Sequence, residues 1–232
     1  MQKIIKLEKS IIPSCDVSDL EKLKSLVKET CSVGGIGAYK IGLELALRFG
    51  ISSIVDAIKK HTNLPIIYDH QKAATDIPDL GEKFAKAVKG VDAVILFPVM
   101  GPETEKEWIK ACKKEKLGII VGGEMTHKAF LKSENGFIND TSPLKIYEIA
   151  AKHGINDFVV PGNKPEKIKY YKSFLEARGL KPIFYSPGLI TQGGSITESA
   201  KAAERWHAIV GRALYNAKDI NKAAKEMVKA LD

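Results

Sequence analysis

Short apolar runs alternate with amphipathic segments from one end of the chain to the other. Each run is rich in Ile and Val and is bounded by Gly, Pro, Asp or Ser, which is typical of buried β-strands. The pattern predicts strands at Ser10–Pro13, Ala38–Gly42, Leu64–Asp69, Ala93–Phe97, Leu117–Val121, Asp157–Val160, Pro182–Tyr185 and Ala208–Val210. Helical spacing of apolar residues predicts helices at Asp19–Thr30, Ile51–His61, Leu80–Val88, Pro102–Lys114, Pro143–His153, Pro165–Arg178, Glu198–Glu204 and Asp219–Leu231.

The regular alternation of strand and helix predicts an α/β protein in which a parallel sheet closes into a single (β/α)8 TIM barrel. No change of composition, linker or repeat of fixed period divides the sequence, so residues 1–232 are expected to form one domain. An open doubly wound sheet is the alternative, and eight strands make it the less favoured one.

The composition, with 44% apolar and 28% charged residues, excludes a disordered chain. The longest apolar runs fall well short of the roughly 20 residues that a membrane-spanning helix needs. The segment MQKIIKLEKS carries charge throughout, unlike a secretion signal. Cys15, Cys31 and Cys112 fit neither a disulfide framework nor a CxxC metal site. We therefore expect a cytoplasmic protein with no membrane partner.

The chain has 36 basic and 28 acidic residues and a formal net charge of +8. Nucleic-acid binding would call for clustered basic residues interleaved with aromatic side chains. The lysines instead lie among acidic residues, as in EKLKSLVKE and EKEWIKACKKEK, which is typical of solvated helix faces. The charge therefore favours attraction of small anionic substrates and predicts no nucleic-acid partner.

A phosphate site is predicted where the last two strands end, because barrel chemistry takes place at the C-terminal ends of strands. The segment SPGLITQGGSI follows strand seven, and GRA follows strand eight. Gly193 and Gly194 let the main chain approach an anion, Gln192 adds a donor, and Arg212 offers a bidentate fork. The alternative is a glycine-rich turn beside a surface arginine.

Charged residues are concentrated at the ends of strands two and three. Lys40 lies within the apolar run AYKIG, and Asp69, Lys72 and Asp76 lie within DHQKAATDIP. A structural ion pair between Lys40 and Asp69 would explain a buried lysine. The four groups together would also suit the stabilisation of a carbanion and its protonation.

Seven segments, in order along nearly the whole chain, resemble the orotidine 5'-phosphate decarboxylase family: CDVSDL, YKIGLELAL, IYDHQKAATDIPD, GEMTHKAF, FVVPGNKPEKI, SPGLITQGGSI and IVGRALYNAKD. The resemblance implies a reaction without metal or cofactor. In it orotidine monophosphate, a small nucleotide, loses its C6 carboxylate as carbon dioxide and gives uridine monophosphate in pyrimidine synthesis.

The resemblance also implies a role for each matching residue. Lys72 would donate a proton to C6, Asp69 would face the substrate carboxylate, and Lys40 would complete the charge network beside the ribose. Asp76 would enter the partner's site in a homodimer. The residues expected to bind substrate are Asp16, Ile77, Thr126 at the pyrimidine edge, Pro187 and Gly193, with Gln192, Gly211 and Arg212 at the phosphate.

The strand-three motif departs from the family pattern Asp-x-Lys-x-x-Asp, since each gap here is one residue longer. Residues three apart on a regular strand point to opposite faces. Asp69 and Lys72 therefore meet only if the chain bulges, and otherwise His70 takes the place of the aspartate. We favour the bulge, because a carboxylate suits the mechanism better than an imidazole. A family threonine that contributes to the ribose site is replaced by Leu80 or Gly81.

Two other functions are compatible with this barrel. The related 3-keto-gulonate 6-phosphate decarboxylase and hexulose-phosphate synthase hold magnesium partly through an acidic residue on strand two. Lys40 occupies that position here, and its charge would oppose a metal ion. A barrel that binds nucleotides without turnover is the other alternative, and measurable binding without reaction would identify it.

Overall fold

The apolar runs of the sequence form eight parallel strands in a computed structural model that describes residues 3–70 and 76–232. The strands are β1 (Lys9–Pro13), β2 (Tyr39–Ile41), β3 (Ile66–Asp69), β4 (Ala93–Leu96), β5 (Gly118–Gly122), β6 (Asp157–Val159), β7 (Ile183–Ser186) and β8 (Trp206–Val210). Every predicted strand is present, with its ends shifted by at most two residues.

The described part of the chain contains ten α-helices. They are α1 (Leu20–Thr30), α2 (Leu43–Phe49), α3 (Ile51–Lys59), α4 (Gly81–Ala87), α5 (Pro102–Lys114), α6 (Ser142–Lys152), α7 (Pro165–Glu176), α8 (Ile196–Ala202), α9 (Arg212–Tyr215) and α10 (Ile220–Lys229). A 3-10 turn, Pro78–Leu80, leads into α4, and another covers Lys132–Glu134.

Sequence periodicity missed two of these helices, α2 and α9. α9 has only four residues, too few to show a period. α2, LELALRF, has apolar residues at every second position, a spacing that does not indicate a helix. Gly50 separates α2 from α3 by adopting a positive φ of 75°, a conformation that glycine reaches without steric cost. Both helices directly follow a strand end, and they therefore help to shape that end of the barrel.

The sheet runs in the order β1-β8-β7-β6-β5-β4-β3-β2, so the two outer strands of this order are β1 and β2. Parallel bridges join Ile11 to Ile36 and Ser14 to Lys40, and the amide of Cys15 donates to the carbonyl of Lys40 at 2.8 Å. These contacts bring the first strand beside the second and close the barrel. The predicted (β/α)8 TIM barrel is thereby confirmed.

Alternation along each strand separates the barrel interior from the layer beneath the helices. Ile12, Ala38, Ile67 and Ile209 belong to the apolar cluster inside the barrel. Because side chains two residues apart on a strand share a face, the next inward positions are Ser14, Lys40, Asp69 and Gly211. The fold therefore carries polar residues from the ends of β1, β2 and β3, and the glycine that follows β8, into the C-terminal mouth of the barrel.

The helices pack their apolar stripes around this barrel. Asp19 accepts a hydrogen bond from the amide of Lys22 at 2.8 Å and caps α1, and Asp219 caps α10 in the same way. Cys15 and Cys112 are buried free thiols, and Cys31 is a half-buried one. Among the described residues, no helix combines the length and the apolar character needed to cross a bilayer.

Candidate active site

Lys40 lies between two carboxylates at the C-terminal mouth of the barrel. Its Nζ is 2.7 Å from Oδ2 of Asp69 and 3.5 Å from Oδ1 of Asp16. The Lys40 side chain is 4% exposed and that of Asp69 is 8% exposed, so both charges are removed from bulk water. Ser14 helps to position Asp16, because its hydroxyl donates to Oδ2 of Asp16 at 2.8 Å.

The two carboxylates decide the charge of Lys40. Burial alone would favour the neutral amine, but the negative charges of Asp69 and Asp16 outweigh it and hold the pKa of Lys40 above its usual value. Lys40 is therefore an ammonium ion at neutral pH. Gly42 keeps the cluster tight, since a Cβ at that position would lie 2.5 Å from Oδ1 of Asp16.

His70 points away from this cluster. Its ring packs 4.4 Å from that of Phe84 and 5.8 Å from that of Trp108, in the layer between the barrel and the helices. Burial lowers the pKa of His70, so the imidazole is neutral where a carboxylate would be charged. Of the two alternatives left by the sequence, the geometry favours Asp69 over His70 as the group that faces the cleft.

Other predicted catalytic residues lie outside the cleft or outside the described residues. Lys72, and the bulge expected before it, fall in residues 71–75, which the structure does not describe. Asp76 and Ile77 are exposed, and neither is among the described residues that line the cleft. Leu80 closes the 3-10 turn and Gly81 begins α4, so the place of the family threonine carries no hydroxyl.

A cleft of about 350 Å³ opens above the Lys40 cluster and collects most of the predicted substrate-binding residues. The residues from the sequence prediction that line it are Asp16, Lys40, Asp69, Thr126, Pro187, Gln192, Gly211 and Arg212. They come from the C-terminal ends of six strands and the loops that follow them, where the sites of such barrels form. Gly193 follows Gln192 directly and is exposed at the rim.

The loop after β7 is shaped by its glycines. Gly188 and Gly193 both have φ of +89°, which favours glycine over any other residue. The amide of Gly193 donates to the carbonyl of Ile190 at 3.0 Å, and that of Gly194 donates to Gly188 at 3.2 Å. These amides are engaged within the loop, so the side chains of Gln192 and Arg212, which line the cleft, are the candidates to hold an anion there.

The loops after β5 and β7 touch beside the cleft. A Cβ on Gly188 would lie 2.7 Å from Cγ2 of Thr126, so only glycine permits this approach. The main chain of Thr126 is fixed from a third loop, because the side-chain amide of Asn163 donates to its carbonyl at 3.1 Å. The side of the cleft that carries Thr126 is thus joined to the glycine-rich loop.

Eight further residues line the cleft but were not among the predicted site residues: Ser14, Glu124, Met125, Gly188, Leu189, Thr191, Ile209 and Tyr215. Glu124 and Met125 lie in the loop after β5, among the residues that sequence reasoning places at this strand's C-terminal end without giving them a role. Tyr215 lies three residues after Arg212 on the same short helix, where i and i+3 share a face. Ile209 lies within β8, and an apolar residue in a strand does not by itself indicate a place in a binding site.

Glu124 serves as an anchor for the loop after β5. It is buried, and its carboxylate accepts a hydrogen bond from the hydroxyl of Tyr171 and pairs with Lys164 Nζ at 3.1 Å. Lys164 also pairs with Glu134 at 2.6 Å. The network ties the end of β5 to the start of α7.

A second, larger cavity of about 970 Å³ lies at the opposite, N-terminal end of the barrel. Residues 3–7 and the loops that precede the strands line it, and it contains none of the predicted catalytic residues. Barrel chemistry takes place at the other end. The cleft around Lys40 is therefore the candidate active site.

Comparison with known proteins agrees with this geometry. The family model described as "Orotidine 5'-phosphate decarboxylase / HUMPS family" matches residues 9–227. The chain belongs to this family. Its membership confirms what the seven sequence segments indicated, and with it an enzyme of the carboxy-lyase class.

Relatives in the orotidine 5'-phosphate decarboxylase family span nearly the full chain. The Pyrococcus furiosus orotidine 5'-phosphate decarboxylase is 34% identical over 222 residues, which cover 94% of this chain and 95% of the relative. The Methanocaldococcus jannaschii protein of the same name is 30% identical over 221 residues, covering 94% and 96%.

Solved structures of this family share the fold. The M. jannaschii orotidine 5'-monophosphate decarboxylase complexed with the inhibitor BMP superposes with a TM-score of 0.84 at 28% identity, covering 97% of this chain and 99% of that one. The Pyrococcus horikoshii OT3 orotidine 5'-phosphate decarboxylase gives a TM-score of 0.77 at 28% identity, covering 95% and 98%.

Proposed function

We propose that the chain decarboxylates orotidine 5'-phosphate to uridine 5'-phosphate without metal or cofactor, as a step of pyrimidine synthesis. The observation that carries the proposal is the buried Lys40–Asp69–Asp16 cluster beneath a cleft that Gln192 and Arg212 also line. It supplies fixed charge at one end of a nucleotide and anion donors at the other. The names of the relatives, 27–34% identical over nearly the whole chain, support the same substrate.

In this proposal the charge network drives the chemistry. Asp69 faces the substrate carboxylate, and their repulsion favours departure of carbon dioxide as the C6–carboxylate bond breaks. The electron pair stays on C6, where the Lys72 ammonium stabilises it and then transfers its proton to that carbon. Lys72 takes up a proton from solvent to restore the enzyme. Lys40 holds Asp69 in place and contacts the ribose together with Asp16.

Binding of the two ends of the nucleotide positions C6. Arg212 and Gln192 hold the phosphate, with Gly193 and Gly211 lining its approach, and Thr126 meets the pyrimidine edge beside Pro187. The contact between Thr126 and Gly188 supports a common response of the pyrimidine and phosphate regions to substrate. Binding energy from the phosphate can then be used to hold the reacting ring in place.

The active enzyme in this proposal is a homodimer, with Asp76 and Ile77 entering the partner's site. Both residues are exposed in the single chain, and neither is among the described residues of its own cleft. Ile77, Met100 and Phe137, which follow the adjacent strands β3, β4 and β5, are 59%, 65% and 97% exposed. Exposed apolar side chains on neighbouring loops suit a surface covered by a second copy.

Lys40 also distinguishes this proposal from a magnesium-dependent reaction on a sugar phosphate. Magnesium prefers carboxylates and water, and Asp16 and Asp69 here neutralise a lysine instead. A cytoplasmic location belongs to the same proposal, and the free thiols of Cys15, Cys31 and Cys112 support it.

The test compares two substrate classes in one assay series. Orotidine 5'-phosphate is supplied with EDTA or with magnesium, and its loss is followed by ultraviolet absorbance; 3-keto-gulonate 6-phosphate is supplied under the same two conditions. Rapid loss of the nucleotide at equal rates in EDTA and magnesium is expected, with no reaction of the sugar phosphate. Magnesium-dependent turnover of the sugar phosphate alone would overturn the proposal, and tight binding of uridine 5'-phosphate without turnover would identify a binding protein.

A further inference from the structure

Trp108, on α5, contacts both sides of the connection between β3 and α4. On the β3 side its ring packs 5.8 Å from that of His70, and on the α4 side it packs 4.8 Å from that of Phe84. On the α4 side its indole Nε1 donates to the carbonyl of Ile77 at 3.1 Å. Trp108 is 3% exposed, and it is not among the described residues that line the cleft.

Thr104, one helical turn earlier on α5, holds the neighbouring peptide. Its hydroxyl donates to the carbonyl of Asp76 at 3.1 Å, and the residue is 5% exposed. The carbonyl of Ile77 also accepts from the amide of Leu80 at 3.2 Å, which starts the 3-10 turn. Two side chains of one helix thus fix two consecutive carbonyls.

Gly81 brings α4 against the same tryptophan. A Cβ at position 81 would lie 3.0 Å from both Cα and Cδ1 of Trp108, so the close approach depends on glycine. Ring stacking, two hydrogen bonds and this backbone contact all converge on α5. A rigid helix therefore sets the position of the main chain at Asp76 and Ile77, although their side chains are exposed.

We propose that Trp108 and Thr104 are positioning residues, which fix the Asp76–Ile77 main chain so that Asp76 reaches the reacting charges. The inference rests on the proposed function, in which Asp76 acts in the partner's site. Misplacing a catalytic group by about 1 Å can cost about 100-fold in rate. Loss of either donor is therefore expected to reduce turnover while leaving nucleotide affinity nearly intact, since Gln192 and Arg212 lie elsewhere in the cleft.

The variants Trp108→Phe and Thr104→Val each remove one donor and keep most of the side-chain volume. Thr104→Ser restores a hydroxyl and tests for rescue. Trp206→Phe is the matched control, because Trp206 also donates through Nε1 to a buried acceptor, the hydroxyl of Ser186 at 2.8 Å, on a distant strand. For each full-length protein we would measure hydrogen exchange of the amides of Ile77 and Leu80, kcat, and the Kd for uridine 5'-phosphate.

The expected result is faster exchange at Ile77 and Leu80 and a kcat lowered by about 10- to 100-fold in Trp108→Phe and Thr104→Val, with Kd changed by less than about threefold. Thr104→Ser should resemble the wild type, and Trp206→Phe should leave these two amides unchanged. Unchanged exchange in the first two variants would overturn the inference, and so would faster exchange with unaltered kcat. A wild-type protein without turnover would refute the proposed function instead, and the exchange data would still decide whether α5 anchors the main chain.

Discussion

The ammonium of Lys40 lies 2.7 Å from the carboxylate of Asp69, on adjacent strands and with both side chains more than nine-tenths buried. Removing one partner of such a buried pair typically costs about 3–5 kcal/mol, because an uncompensated charge remains. Asp16, at 3.5 Å, is the second counter-charge of Lys40. The arrangement keeps two fixed carboxylates beside the cleft, where the substrate carboxylate is proposed to bind.

Replacing Asp69 should abolish most of the turnover, whereas replacing the imidazole of His70 should not. Asp69→Asn removes the charge that faces the cleft, and kcat is expected to fall by about 100- to 1,000-fold. His70→Phe keeps an aromatic ring beside Phe84 and Trp108. Because this ring points away from the Lys40 cluster, kcat should stay within about threefold of wild type. Initial rates at saturating substrate, with thermal denaturation as a folding control, make the comparison. Collapse in His70→Phe with near-normal rates in Asp69→Asn would reverse the assignment.

Mixing two inactive homodimers tests whether Asp76 acts in the partner's site. Asp69→Asn disables the chain's own site, and Asp76→Asn is expected to disable the partner's site. After subunit exchange, half of the dimers are mixed and each carries one intact site, so about a quarter of the wild-type activity should return. Mixtures that stay as inactive as the separate variants would mean that Asp76 serves its own chain's cleft.

Arg212 should matter only for substrates that carry a phosphate. Arg212→Ala removes a bidentate donor, and kcat/KM for orotidine 5'-phosphate is expected to fall by about 100-fold or more. The slow decarboxylation of orotidine, which lacks the phosphate, should be equal in the variant and the wild type. Steady-state kinetics with both substrates test this. An equal loss with orotidine would show that Arg212 acts on the reacting ring instead.

Glu105, buried between α5 and α6, makes stability depend on pH. Burial raises the pKa of its carboxyl from 4.5 to about 8, against a smaller lowering by the backbone of Ala150. Because the folded pKa is the higher one, its contribution to stability is present below pH 4.5 and is lost as the pH rises to about 8.

Glu105→Gln removes this titration without changing the shape of the side chain. Its Tm should match that of wild type well below pH 4.5, where Glu105 is protonated in both states, and exceed it by about 5 °C above pH 8. Thermal denaturation of both proteins across this range measures the difference. A Tm difference that does not vary with pH would show that Glu105 does not titrate in this window.

Much of the fold was predictable from local pattern. Runs such as Ala93–Leu96 are apolar and bounded by breakers, and eight of them with intervening helices allow few topologies besides a barrel. The helix α9 escaped prediction because four residues show no period, and α2 because its apolar residues alternate at every second position. The grouping of Asp16, Lys40 and Asp69 was predictable, because the C-terminal ends of all strands in a barrel meet at one mouth.

Other features of the site depend on contacts between distant parts of the chain. No sequence pattern shows that the amides of Gly193 and Gly194 are used within their own loop. The orientation of His70 follows from strand alternation only once Ile67 is known to face the barrel interior. The role of α5 beneath Asp76 depends on packing between helices, which composition does not encode.

The most direct test of the proposed metal-free decarboxylation is the ultraviolet decay of orotidine 5'-phosphate with metal-stripped wild-type protein and with Lys72→Ala. The proposed mechanism predicts rapid decay with the wild type in EDTA. It also predicts that removing the proton donor lowers kcat by about 1,000-fold or more, with uridine 5'-phosphate still bound. Decay that requires added metal, or a Lys72→Ala variant as fast as the wild type, would contradict it.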